Sequence, residues 1–181
     1  MREEKPPSLT VAIPVFNEAA IIRETLSELK RVLSGAEGIE SFEILVVDDG
    51  SSDSTTQVIE NNFPDVTVLR KDNGGPGSAR NLGVKFAKSE VVIFLDSDDI
   101  MIQGRIEAQG RYMSNNPHIA MSYGDVVFSY THPLDSAARF EVRDEKIFED
   151  TEFHKKLMKH GCFVANTTTA MRKRDYLKIG G

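Results

Sequence analysis

The sequence predicts an α/β fold: an open, mostly parallel sheet with helices on both faces and mixed strands in the second half. Three observations predict it. Short apolar runs rich in valine, isoleucine and leucine recur through the first half, the pattern of strands buried on both faces. Segments whose apolar residues are spaced by three and four lie between them, as in βαβ units. Each run ends in polar or special-backbone residues, and ligands of open α/β sheets bind outside the carboxyl ends of the strands.

Leu9 to Pro14 reads as the first strand, stopped by Pro14, which cannot donate to a central ladder. Val15-Phe16-Asn17-Glu18 reads as a turn. A helix follows on Ile21, Ile22, Leu26, Leu29, Val32 and Leu33 and ends near Gly35 or Gly38. Phe42 to Val47 is a second strand that leads into Asp48-Asp49-Gly50. Ser52 or Asp53 can cap the next helix, which carries Val58 and Ile59 and stops at Phe63-Pro64. Val66 to Leu69 is a short third strand. Lys71 to Ser78 reads as a glycine-rich loop, and a helix runs from Ala79 to about Lys88. Val91 to Leu95 is the fourth strand. Parallel crossovers of this kind are right-handed.

The second half is less regular. Ile102 to Met113 and Phe148 to His160 read as helices, Ile119 to Tyr123 and Val126 to Tyr130 as strands, and Thr131 to Asp144 as loop. Phe163 to Met171 is a strand candidate, followed by a short helix over Lys173 to Ile179. Residues 1–7 read as a disordered lead-in with no signal-peptide core, and 8–181 as a single domain.

Composition narrows the partners. The 181 residues are 40% hydrophobic and carry a net charge of −6, which argues against nucleic acid or an anionic membrane as the main partner. Arg172-Lys173-Arg174 is a short basic run that reads as a solvated helix face. A single cysteine, Cys162, allows no internal disulfide and points to a reducing compartment; its apolar neighbours mark it as core. No apolar run approaches a membrane span. His118, His132, His154 and His160 have no metal-ligand spacing.

The chemistry gathers at the strand ends. Asp96-Ser97-Asp98-Asp99 places three carboxylates directly after a buried strand. Like charges this close repel unless a cation or hydrogen bonds hold them; the cation that suits oxygen ligands and diphosphates is Mg²⁺ or Mn²⁺. The plain structural alternative is a helix cap and an acidic turn. Asp48-Asp49 can accept hydrogen bonds from a nucleobase imide or a ribose hydroxyl, or form an Asx turn. The segment Asn73-Gly74-Gly75-Pro76-Gly77-Ser78-Ala79-Arg80-Asn81 opens a helix, where an anion is favoured. It is neither a Walker A loop nor a Gly-x-Gly-x-x-Gly motif. Arg80 can reach a diphosphate or base, or lie on the surface.

Together, Ile13-Pro14-Val15-Phe16-Asn17-Glu18, Val46-Val47-Asp48-Asp49-Gly50-Ser51-Ser52-Asp53, the Asn73–Asn81 segment and Phe94-Leu95-Asp96-Ser97-Asp98-Asp99 resemble a family 2 glycosyltransferase with the Rossmann-like GT-A fold. Thr167 to Lys173 and Ile179-Gly180-Gly181 resemble that family's approach to the acceptor side. The resemblance implies a nucleotide-diphospho-sugar donor, with UDP favoured over GDP and dTDP, and an inverting transfer to a carbohydrate or lipid-linked acceptor. It implies that Pro14, Phe16 and Glu18 flank the nucleoside, that Asp49 binds the base with Asp48 supporting, and that Gly75 and Arg80 lie by the base or diphosphate. Asp96 and Asp98 would form the Asp-x-Asp motif, and Asp98 with Asp99 would hold Mn²⁺ or Mg²⁺. Residues 8–100 would be the nucleotide-sugar half and 101–181 an incomplete acceptor-side half. The implied location is cytoplasmic, at the inner membrane face for a longer parent.

The family's general base lies downstream of the Gly-Gly segment, so the expectation is a fragment that binds donor but transfers poorly. Glu149-Asp150 lies upstream and reads as a helix start. Two other functions fit less of the pattern. A non-catalytic nucleotide-sugar-binding module would need no base. A haloacid-dehalogenase-type phosphatase would use Asp96 as nucleophile, but its Asp-x-Asp strand comes first in the chain rather than fourth. A nucleotidyltransferase would want a basic phosphate loop after the first strand, where this chain has Val15-Phe16-Asn17-Glu18.

Overall fold

A computed structural model describes residues 8–125 and 164–180, together with 152, 155–156 and 158–159. The expected strand at 126–130, the loop at 131–144, the lead-in, Cys162, His132, His154, His160 and Glu149-Asp150 lie outside the described residues.

Among the described residues six strands form one sheet in the order β3-β2-β1-β4-β6-β5. β1 (Ser8–Val15), β2 (Ser41–Asp48), β3 (Thr67–Arg70) and β4 (Val91–Phe94) are mutually parallel. β5 (Met121–Ser122) and β6 (Ala170–Arg172) join antiparallel on the far side of β4. The sheet is thus mostly parallel with mixed strands in the second half, as the sequence predicts.

Strand alternation sorts the core onto two faces. Leu9, Val11, Ile13 and Val15 point to one face, where they pack with Ile22, Leu26, Leu29 and Leu33 of α1 (Ile22–Ser34), Ile59 of α2 (Thr55–Asn62) and Ile106 and Met113 of α4 (Arg105–Asn115). Ala12, Val92 and Phe94 point to the other, against Val84 of α3 (Gly75–Phe86) and Tyr176 of α5 (Lys173–Lys178). Small residues bring α3 close: a Cβ on Gly83 would sit 3.4 Å from the Ala12 and Val47 side chains.

Four expectations are corrected. Pro14 does not stop β1, which runs to Val15 with Pro14 in register with Val47 of β2. The reason is directional. Leu95 N–H donates to Ala12 O, so the polar groups of Ala12, and those of Pro14 two residues on, face β4. Pairing with β4 ends at Ala12 opposite Phe94, so the missing donor falls past the last pair. The glycine-rich segment is not loop throughout: α3 begins at Gly75, with Pro76 in its first turn, where proline is tolerated. The strand candidate ending at Met171 contains a 3₁₀ turn at Asn166–Thr168, and β6 starts only at Ala170. Arg172 is not on a solvated face. It is 6% exposed and donates to the carbonyls of Met113, Asn116 and Ile119, closing the end of α4.

Candidate active site at the strand tips

Because β1, β2 and β4 are parallel, their carboxyl ends open on one side, and hydrogen bonds stitch the following loops together. Asn17 takes the left-handed conformation (φ 57°), which asparagine tolerates. Its N–H donates to Ser51 Oγ at 2.9 Å, and its Oδ1 accepts from Ser52 N at 2.8 Å. Glu18 N–H donates to Thr55 Oγ1 at 2.8 Å and Ala19 N–H to Asp53 at 3.1 Å. Asp53 also accepts from Thr55 N–H, but the cap position of α2 is Ser54, whose side chain makes no cap hydrogen bond, rather than the expected Ser52 or Asp53. Phe16 stands 47% exposed at the tip of β1, beside half-buried Pro14 and Glu18.

The two β2 carboxylates differ in role. Asp48 is fully buried; it accepts from Ser51 N–H at 2.9 Å and Thr56 Oγ1 at 2.8 Å, closing the turn onto α2. Asp49 is 3% exposed and accepts from Lys71 Nζ at 2.5 Å, Gly74 N–H at 3.0 Å and Gly75 N–H at 2.7 Å. Burial pushes the Asp49 carboxyl up, but the Lys71 ammonium and the two amides outweigh it and hold it below the usual range. Within the chain, then, the anion at the α3 N-terminus is Asp49 itself.

Gly50 makes this loop possible. Its φ is +82°, and a Cβ there would lie 2.8 Å from Asn73 N. Gly50→Ala combines left-handed strain with a backbone clash, so we expect a loss of more than about 1 kcal/mol of stability. Urea unfolding of the variant checks it; an unchanged midpoint would contradict the close approach.

The acidic tip after β4 is held from three sides. Arg80 on α3 donates to Asp96 Oδ1 at 2.5 Å, while its buried Nε has no partner. Thr25 Oγ1 on α1 donates to Ser97 O at 2.6 Å, and Ser97 Oγ donates to Glu18 Oε1 at 3.2 Å. Asp96 N–H donates to Thr167 Oγ1 at 3.2 Å, from the second half of the chain. Asp98 is exposed. Burial, foremost, pushes the Asp99 carboxyl up; a Thr167 hydrogen bond opposes this, and repulsion from Asp98 and Asp96 adds to it.

Sequence reasoning missed the support beneath this tip. Arg105 is 6% exposed. It donates to the carbonyls of Thr167 at 2.5 Å, Phe94 at 3.1 Å and Thr169 at 3.3 Å, and to Gln109 Oε1 at 2.9 Å. Burial lowers its pKa to about 10, and Asp99 acts in the opposite direction, so it stays charged at neutral pH. The legible signal was Arg105 and Gln109, one turn apart, on the same face as Ile106 and Met113. Thr167, grouped from its sequence with the acceptor-side segment, contacts the acidic tip.

The donor set suits a hard divalent ion. Among the described residues no three His, Cys, Asp or Glu side chains are grouped to hold a metal. With Asp96 engaged by Arg80, the tip offers Asp98 and Asp99. Mg²⁺ is ordinarily bound through one or two carboxylates, with substrate phosphates and water completing its shell. A cation would also relieve the repulsion among the three acids.

The sequence profile described as glycosyl transferase family 2 matches residues 10–180. An uncharacterized glycosyltransferase of Rickettsia bellii is 35% identical over 113 residues, 61% of this chain and 16% of that protein. The poly(ribitol-phosphate) beta-glucosyltransferase of Bacillus spizizenii is 35% identical over 96 residues, 50% of this chain and 15% of its own. Among solved structures, S. aureus TarS 1-349 shares the fold, with a TM-score of 0.68 at 22% identity over 95% of this chain and 49% of that chain. Its complex with UDP-GlcNAc aligns with a TM-score of 0.50 at 30% identity over 63% of this chain and 33% of that one. The chain spans half or less of the length of each of these proteins.

Proposed function

Because the chain belongs to glycosyl transferase family 2, we propose that it binds a nucleotide-diphospho-sugar at the strand tips, as the donor half of an inverting, metal-assisted transfer to an acceptor hydroxyl. Residues 8–100 form that donor half and 101–181 part of the acceptor side. The observation that carries the reading is the convergence of Asp49, Arg80 and the Asp96–Asp99 tip on one end of the sheet. The UDP-GlcNAc complex of TarS supports UDP as the nucleotide, and the poly(ribitol-phosphate) transferase supports a hydroxyl-rich polymer as acceptor. The proposed place of action is the cytoplasm, at the inner membrane face for a lipid-linked acceptor. Family membership displaces the phosphatase and nucleotidyltransferase readings.

Each residue has a physical role. Phe16 offers an exposed ring, with Pro14 and Glu18, to flank the nucleoside. A carboxylate has about four acceptor sites. Asp49 uses three of them on Lys71, Gly74 and Gly75, which leaves one for a base imide N–H. Asp48 keeps that carboxylate in place. Arg80 lies between the glycine-rich segment and Asp96, where a diphosphate would gain its charge. Asp98, with Asp99, would hold Mn²⁺ or Mg²⁺, which when bound neutralises the charge that develops on the departing nucleoside diphosphate. The role of general base is assigned to no residue of this chain.

Asp49→Ala removes the bond to the base, and we expect it to weaken UDP binding by about tenfold or more, the value of a hydrogen bond to a charged group. Calorimetric titration checks this; a markedly smaller loss would count against Asp49 as the base reader. The same titration with UDP, GDP and dTDP tests the function itself: one nucleotide should bind, and more tightly with Mn²⁺ than with EDTA. A folded chain that bound none would contradict the donor-half reading.

A further inference from the structure

Thr167 occupies an unusual place. It sits on the 3₁₀ turn Asn166–Thr168, far along the chain from β4, yet its hydroxyl accepts the Asp96 N–H at 3.2 Å and hydrogen-bonds the Asp99 carboxylate. One hydroxyl therefore touches the first and last carboxylate residues of the tip. A hydroxyl can do both at once, since it has one donor and two acceptor sites.

The turn that carries Thr167 is itself fixed. Arg105 donates to the Thr167 carbonyl at 2.5 Å and to the Thr169 carbonyl at 3.3 Å, and Gln109 Nε2 donates to the Thr168 carbonyl at 2.9 Å. Phe94 N–H donates to Thr169 O at 3.0 Å, which ties the turn to the last residue of β4. The carbonyls of Thr167, Thr168 and Thr169 are thus engaged by groups beside the acidic tip, and the Thr167 hydroxyl is aimed at it.

We propose that Thr167 is a positioning residue for the donor site, fixing the Asp99 carboxylate against the main chain at Asp96 so that Asp98 and Asp99 can share a divalent cation with a nucleoside diphosphate. This rests on the donor-site reading above. Arg105 and Gln109 hold the turn, and Thr167 transmits that order to the Asp99 carboxylate and the Asp96 main chain. The second half of the chain thereby shapes the donor site as well as the acceptor side.

The test is calorimetric titration of UDP into the chain and its variants, with Mn²⁺ and with EDTA, alongside thermal melting. Thr167→Val keeps the shape and removes the hydroxyl. We expect its Mn²⁺-dependent gain in UDP affinity to fall by about tenfold, the worth of a hydrogen bond to a charged group, with the affinity in EDTA unchanged. Thr167→Ser should restore the gain, and Thr167→Ala should repeat the loss should the valine variant melt early. An unchanged gain, an equal loss with and without metal, or no rescue by serine would overturn the proposal. Wild-type chain that binds UDP equally with and without Mn²⁺ would overturn it too. Wild-type chain that binds no UDP at all would remove the donor-site reading, and the proposal with it.

Discussion

Asp98→Ala is expected to abolish the metal-dependent part of nucleotide binding while leaving the fold intact. Asp98 is the exposed member of the acidic tip, whereas Asp96 is engaged by Arg80 and Asp99 is partly buried against Thr167. An exposed carboxylate costs little to remove from the folded state, so the melting temperature should hardly move. The loss should appear in binding alone. With Mn²⁺ the variant should bind UDP no more tightly than wild type does in EDTA. Calorimetry at matched ionic strength reads this directly. Retention of the Mn²⁺ effect would remove Asp98 from the metal site.

Arg105→Leu is expected to cost about 2 kcal/mol or more of stability, since each buried carbonyl left without a donor costs about 1–3 kcal/mol. Two carbonyls, those of Phe94 and Thr167, would lose the guanidinium donor, whereas the Thr169 carbonyl would lose it but keep the Phe94 N–H. Leucine has the length to fill part of the space but donates nothing. The damage should not stay local, because these carbonyls join β4, from which the acidic tip leads, to the turn before β6. Urea unfolding followed by circular dichroism measures the loss. A change below about 1 kcal/mol, the size of an ordinary surface substitution, would show that water or neighbouring groups replace the guanidinium.

The parallel half of the fold was legible because its signals are local. Val46, Val47, Val92 and Ile93 sit in continuous apolar runs, and only a strand covered on both faces wants such a run. Ile22, Leu26, Leu29 and Leu33 keep helical spacing and pack on the sheet together. Asp48, Asp49 and Asp96 to Asp99 were found because carboxylates directly after buried strands are chemically out of place. The start of α3 was misread because three glycines resemble a loop, and only the Asp49 carboxylate on the Gly74 and Gly75 amides shows what stabilises a helix there.

What stayed hidden was long-range. Arg172 looked like one more surface cation until the ends of α4 and β6 were placed beside each other. Pro14 looked like a strand stop, because which side of β1 its missing donor faces depends on where β4 ends. Thr167 meets Asp96 across 71 positions of sequence, and threonine carries no pattern that would announce such a partner. Sequence thus located the acids at the strand tips, and the fold was needed to find the groups that hold them.

The proposed role of the strand tips is a metal-assisted nucleotide-diphosphate site. A crystal structure of the chain grown with UDP and Mn²⁺ tests it most directly. We expect uracil against Asp49 and Phe16, the diphosphate near Arg80, and Mn²⁺ between the diphosphate and Asp98. Nucleotide bound away from the tips of β1, β2 and β4, or a diphosphate at the tips with Mn²⁺ absent from Asp98 and Asp99, would contradict it.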